Sequence, residues 1–216
     1  MNDKRKQVTL VASALALCAV AGGAAFGLAR RADARQDAAN PAAVAAKAPE
    51  VAEMDKPIRD FAFRNILAEG EKNKTVKFSD YKGKKAVVAM FMANRCGTTW
   101  TYEKKIGDLL KDYKSKDVAF VAVHSNYTES DDEIKGQLEQ RNIDIPLLDD
   151  KKDQAFASYI GATNTPTFVV IDKKGVLRYK GSFDMRRDET KTYVRTALDA
   201  ALANKPVEVK ATRAFG

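Results

Sequence analysis

Two cysteines and one histidine are the whole stock of soft nucleophiles and metal-binding imidazoles in this 216-residue sequence. Cys18 lies inside an uncharged apolar run, whereas Cys96 lies in the polar stretch Asn94-Arg95-Cys96-Gly97-Thr98-Thr99. A thiol at the start of a helix faces backbone N–H groups and the positive end of the helix dipole, which favour the thiolate that attacks disulfides and peroxides. An ordinary cysteine titrates near 8.5, and each unit below that requires about 1.4 kcal/mol of preference for the anion. A helix terminus supplies roughly 0.3 to 1 kcal/mol, or about 2 when partly buried. Moderate activation is therefore within reach and strong acidity is not. Arg95 offers a neighbouring cation, and Thr99 a hydroxyl for the sulfur or merely for the helix end. The competing reading of Cys96 is a small buried hydrophobe, and of Trp100 and Tyr102 packing residues in place of substrate contacts. His124 ends an apolar run and reads as a strand-end residue that could lie near Cys96. One Cys and one His make too small a donor set for a metal, so neither metal nor cofactor is expected.

The elements that must hold Cys96 can be read from periodicity. Ala86 to Met92 is a continuous apolar run, as expected of a strand buried on both faces, and Val118 to Val123 is a second. Ile58 to Phe63 and Thr75 to Phe78 read as short strands entering the domain. After Cys96 the spacing of Trp100, Ile106, Leu109, Leu110 and Tyr113 predicts one helix over 98–114. Ser130 and Glu133 form a capping-box pattern before Ile134 and Leu138. A short stretch at 145–148 follows, then a helix over 153–160 closed by Gly161. Thr167 to Ile171 and Val176 to Tyr179 are joined through Asp172-Lys-Lys-Gly175 as a hairpin, and a helix starts at Asp188. Alternating strands and helices predict an α/β domain with Cys96 at the carboxyl edge of a central strand, where open α/β sheets place their sites.

The net charge is +8. Residues 1–34 carry five basic and two acidic side chains, which leaves +5 spread along the rest without basic runs or aromatic interleaving. Nucleic-acid binding is not expected. Lys4, Arg5 and Lys6 precede an uncharged stretch over 8–29, long for a cleaved signal and long enough for a spanning helix. Gly22-Gly23 and Ala32-Asp33-Ala34 keep cleavage open. Basic residues flank the run on both sides, so the positive-inside rule gives no orientation. Leu15-Ala16-Leu17 lacks the small residue expected before a lipidated Cys18. Residues 1–29 are thus expected to be a signal peptide or transmembrane anchor, 30–56 a flexible tether, 57–205 the folded domain and 206–216 a C-terminal tail. The domain is expected outside the cytoplasm, in the cell envelope, and in the periplasm of a bacterium.

Phe91-Met-Ala-Asn-Arg-Cys96 after a buried strand, with Thr165-Pro166-Thr167 before a later one, resembles the thioredoxin-like superfamily. The stretches Phe78-Ser-Asp-Tyr-Lys-Gly83, Val118 to Val123 and Thr165 to Asp172 are most similar to its redoxin branch, the AhpC/TSA and TlpA-like proteins. The resemblance implies a central mixed sheet flanked by helices, a cis Pro166 beside Cys96, and a Thr165 backbone that pairs with substrate. It departs from the dithiol reductases, since Thr99 stands where their second cysteine would be. It departs from peroxidases too, with Ala93 and Ala89 at the positions of their Thr and Pro. Relatives continue past an ending like Thr212 to Gly216 into a further Cys, and no such thiol is expected here.

The resulting expectation is a monothiol oxidoreductase. Cys96 and Thr99 are its catalytic candidates, and Thr165, Pro166, Arg95 and Trp100 its substrate contacts. An oxidised or disulfide-bearing protein or small thiol is the substrate, and an external thiol resolves the mixed disulfide. The alternatives are a tethered binding module without catalysis and a one-cysteine peroxidase passing through a sulfenic acid.

Overall fold

The computed structural model describes residues 50–70, 74–186, 188, 190 and 192–215. The anticipated signal or anchor and most of the tether lie outside them. No helix among the described residues is long and apolar enough to cross a membrane.

Seven strands form one mixed sheet: β1 (Ala62–Asn65), β2 (Thr75–Lys77), β3 (Ala86–Phe91), β4 (Val118–His124), β5 (Leu147–Asp149), β6 (Thr167–Asp172) and β7 (Leu177–Gly181). Their order is β2-β1-β5-β4-β3-β6-β7. The β3, β4 and β5 strands are parallel, and β6 and β1 join them antiparallel on either side. All six β3 residues are buried, so the uninterrupted apolar run satisfies two cores at once. Ala86, Val88 and Met90 face the core under α2 (Glu103–Tyr113), α3 (Asp131–Gln140) and α5 (Tyr193–Leu202). Val87, Ala89 and Phe91 face the core under α4 (Ala155–Ile160). On that second side Phe156 gathers the rings of Phe61, Phe63, Phe78 and Phe91.

Several expectations shift. The single helix over 98–114 is two helices, α1 (Gly97–Thr101) and α2, which meet at Tyr102 with φ −93° and ψ 2°. The Tyr102 hydroxyl donates to buried Asp184 at 2.9 Å, and Asp184 also takes the Lys105 ammonium at 2.7 Å, so tertiary bonds fix the bend. The last helix begins at Tyr193, because Asp188 pairs with Met185 in an isolated bridge. The Ser130–Glu133 capping box forms as read, and Gly161 ends α4 with a left-handed φ of 77°.

Packing also extends beyond 57–205. Ala52 is buried, and its N–H donates to the Tyr159 carbonyl at 2.6 Å. At the other end the Lys180 N–H donates to Lys210 and the Thr212 N–H to Lys180, both at 3.0 Å, which lays residues 210–212 along β7. Gly181, with φ 145°, allows this approach, since a Cβ there would come within 2.5 Å of the Thr212 carbonyl oxygen.

Candidate functional site

The carboxyl end of β3 delivers the chain into a loop from Met92 to Cys96. The Met92 N–H still pairs with Val123 at 3.0 Å, and Met92 and Ala93 are buried, so the first half of the loop is an extension of the sheet. Cys96 then caps α1, with extended backbone at φ −85°, and the Thr99 N–H donates to its carbonyl at 3.0 Å. Its half-buried thiol donates to the Thr165 carbonyl at 3.0 Å, across 69 residues of sequence. The Thr165–Pro166 peptide bond is cis and Pro166 is buried. Among the described residues Cys96 is the sole free thiol.

Burial raises the Cys96 pKa. Hydrogen bonding from Thr165 and Thr99, together with the N–H groups of Thr99 and Thr98, outweighs that penalty and leaves the thiol below its ordinary value. The S–H bond to the Thr165 carbonyl belongs to the protonated thiol, and the hydroxyl and N–H donors favour the anion. Thr99 is wholly buried one helical turn on. Its hydroxyl makes no hydrogen bond of normal geometry, yet it lies close enough to favour the anion.

Arg95, anticipated as a cation beside the sulfur, has its guanidinium engaged by a carboxylate. The Arg95 guanidinium bonds Glu133 at 2.7 Å on the solvent side, and that partner neutralises it. Glu133 in turn is held down to about 2, first by the Arg95 hydrogen bond and then by the Ser130 N–H. Trp100 is part of the scaffold: its indole N–H donates to the Asn94 carbonyl at 2.7 Å, and the Arg141 guanidinium covers its ring at 4.2 Å.

Beneath the loop lies a residue that sequence reasoning passed over. Glu129, 2% exposed, accepts the Asn94 N–H on one carboxylate oxygen at 2.8 Å and the Arg95 N–H on the other at 2.7 Å. His124 Nδ1 is 3.9 Å from that carboxylate, and neither ring nitrogen has a hydrogen-bond partner among the described residues. Burial holds the imidazole pKa below its usual value, against the pull of Glu129. Glu129 stands in a polar loop before a capping box, where a carboxylate is unremarkable, and nothing in its spacing announces a partner 34 residues earlier.

Beside Thr165 a cleft of about 570 Å³ runs between the end of β4 and α4. Phe91 and Ala93 line it, with Ser125, Gln154, Ser158 and Thr165, and none of its lining residues is charged. No group of three or more His, Cys, Asp or Glu side chains suited to a metal occurs among the described residues.

The family model described as Redoxin matches residues 43–198. Among curated proteins none is similar in sequence. Solved structures are similar in fold. An uncharacterized conserved protein from Geobacillus kaustophilus is 28% identical, with a TM-score of 0.63 over 74% of this chain and 87% of the other. A hypothetical protein from Sinorhizobium meliloti 1021 is 24% identical, with a TM-score of 0.64 over 75% and 92%. A candidate thiol:disulfide interchange protein DsbE from Chlorobium tepidum is 24% identical, with a TM-score of 0.57 over 70% and 99%. The central sheet and its flanking helices are those of the thioredoxin-like fold.

Proposed function

Given that the chain belongs to the Redoxin family, we propose that it is a thiol-disulfide oxidoreductase working through the single thiol of Cys96. One observation carries this reading: the sulfur of a helix-capping cysteine, its pKa lowered, lies 3.0 Å from the backbone of Thr165 in a cis Thr165–Pro166 segment. The Cys96 thiolate attacks one sulfur of a substrate disulfide, the S–S bond breaks, and the second sulfur leaves as a thiolate. An external thiol then attacks the substrate sulfur of the mixed disulfide and returns Cys96 as a thiol. Thr99 lacks a sulfur to do this from within. The Thr98 and Thr99 N–H groups and the Thr99 hydroxyl stabilise the anion. The Thr165 carbonyl, freed when the thiol ionises, pairs with the backbone of the bound chain. That chain runs beside Pro166 and the uncharged cleft, with Arg95 exposed on the loop before Cys96 and Trp100 bracing that loop.

The apolar run over 8–29 behind Lys4, Arg5 and Lys6 supports membrane attachment or export through residues 1–29, with a tether over 30–56 and the domain outside the cytoplasm. Substrates there are disulfide-bearing or oxidised proteins and small thiols. The likeness to a candidate thiol:disulfide interchange protein agrees with exchange chemistry on such substrates.

Exchange of a peptide disulfide, with glutathione as the external thiol, tests the reading on the full chain. Cys96→Ser is expected to abolish exchange above the uncatalysed rate and to leave the fold intact by circular dichroism. Equal exchange by parent and variant would refute the mechanism. Binding of the peptide that survives Cys96→Ala, without turnover in the parent, would identify a binding module instead.

A further inference from the structure

Taking Cys96 as the reacting thiol, as proposed above, we infer that Glu129 is its positioning residue, a buried carboxylate that clamps the loop before Cys96 so that the sulfur stays against Thr165. Both carboxylate oxygens are used, each by the N–H of one of the two residues directly ahead of Cys96, at 2.8 and 2.7 Å. Asn94 is partly buried and Arg95 exposed, but their N–H groups point inward to the buried Glu129, and no strand or helix supplies another acceptor. The carboxylate does so with charge-assisted bonds, which are shorter and stronger than neutral ones. Glu129 is itself anchored, its own N–H donating to Asn126 at 3.3 Å just after β4. The loop's outer side is held by Trp100 on the Asn94 carbonyl and by Glu133 on the Arg95 guanidinium. The Ala93–Asn94 and Asn94–Arg95 peptides are thereby tied to the turn before α3 through Glu129, and the second of them also to α1 through Trp100.

The buried His124 ring, 3.9 Å behind the carboxylate, closes the clamp from the sheet side. The charged groups acting on that ring are Glu129 and Lys151, and Lys151 is paired with Asp131. The ring makes no hydrogen bond among the described residues, and both Glu129 oxygens serve the loop.

The consequence is specific to alignment. A small alkylating reagent reaches Cys96 from any direction, whereas a peptide disulfide must lie along Thr165 with its S–S bond in line with the sulfur. A displacement of about 1 Å from productive geometry can cost on the order of a hundredfold. Glu129→Gln keeps the size but replaces one acceptor oxygen by an NH₂ group, which faces a loop N–H donor to donor.

The test compares the full chain with its E129Q variant by three readouts. Peptide-disulfide exchange is expected to fall at least about tenfold. Iodoacetamide alkylation at a pH where Cys96 is fully ionised is expected to stay within about twofold. Amide exchange at Asn94 and Arg95 is expected to be slow in the parent and fast in the variant, with β3 and β4 amides unchanged. Unaltered disulfide exchange in a folded E129Q, or equal losses of exchange and alkylation, would overturn the inference. Should E129Q not fold, the parent's amide exchange decides alone: rapid exchange at Asn94 and Arg95 overturns the clamp. That readout needs no turnover, so failure of the clamp is distinguishable from failure of the oxidoreductase reading.

Discussion

The sulfur of Cys96 is held against its own desolvation by small donors: two helix N–H groups and the hydroxyls of two threonines. Removing one should therefore be visible. Thr99→Ala is expected to raise the pH midpoint of Cys96 alkylation by a fraction of a unit, toward the ordinary value of about 8.5, with β-structure unaffected. An unchanged midpoint would show that the Thr98 and Thr99 amides suffice. The sequence exposed Cys96 because a thiol in a polar loop after a buried strand is unusual, and it brought Thr165 and Pro166 in through a resemblance. It did not reveal the ion-pair partner of Arg95, since which carboxylate a long side chain finds depends on the neighbouring helix, here Glu133 of α3. Glu129 was illegible for the opposite reason. Its partners are backbone N–H groups, which carry no side-chain signature.

At the level of elements, the buried strands were readable because β3 is apolar throughout and β4 and β6 are apolar except at their ends, and the hairpin because Gly175 closes its turn with φ 77°. The helix break at Tyr102 was not. Ile106, Leu109 and Tyr113 keep their helical phase after it, and the bend is imposed by Asp184, 82 residues on. This gives Asp184 a measurable share of stability. Asp184→Ala removes the Asp184 acceptor from the buried Tyr102 hydroxyl and the partly exposed Lys105 ammonium. By the scale of hydrogen bonds to charged groups it is expected to cost about 2 to 3 kcal/mol in urea unfolding. A loss below roughly 0.5 kcal/mol would mean that α1 and α2 bend without it.

Across the whole molecule, acid should loosen the fold through its one histidine. Burial depresses the folded-state pKa of His124, whereas the unfolded chain binds the proton near 6.5. The stability tied to neutral His124 is therefore complete above about 6.5 and is lost as pH falls through the folded value, at up to about 1.4 kcal/mol per pH unit. Urea midpoints at pH 7.5 and 5.5 are expected to differ more for the parent than for His124→Gln. Equal differences would assign the acid sensitivity to the carboxylates.

The strap of residues 210–212 along β7 bears on a different matter, the company the protein keeps with its own copies. A sheet ending in bare N–H and C=O groups invites a strand from a neighbouring chain to add itself. Here Lys180, in the last strand of the sheet, already exchanges its N–H and C=O with Lys210 and Thr212, and the missing side chain of Gly181 lets Thr212 lie flush against the ribbon. The protein thus supplies its own blunt margin, and a crowded population of such domains meets covered backbone where an open edge would seed aggregates.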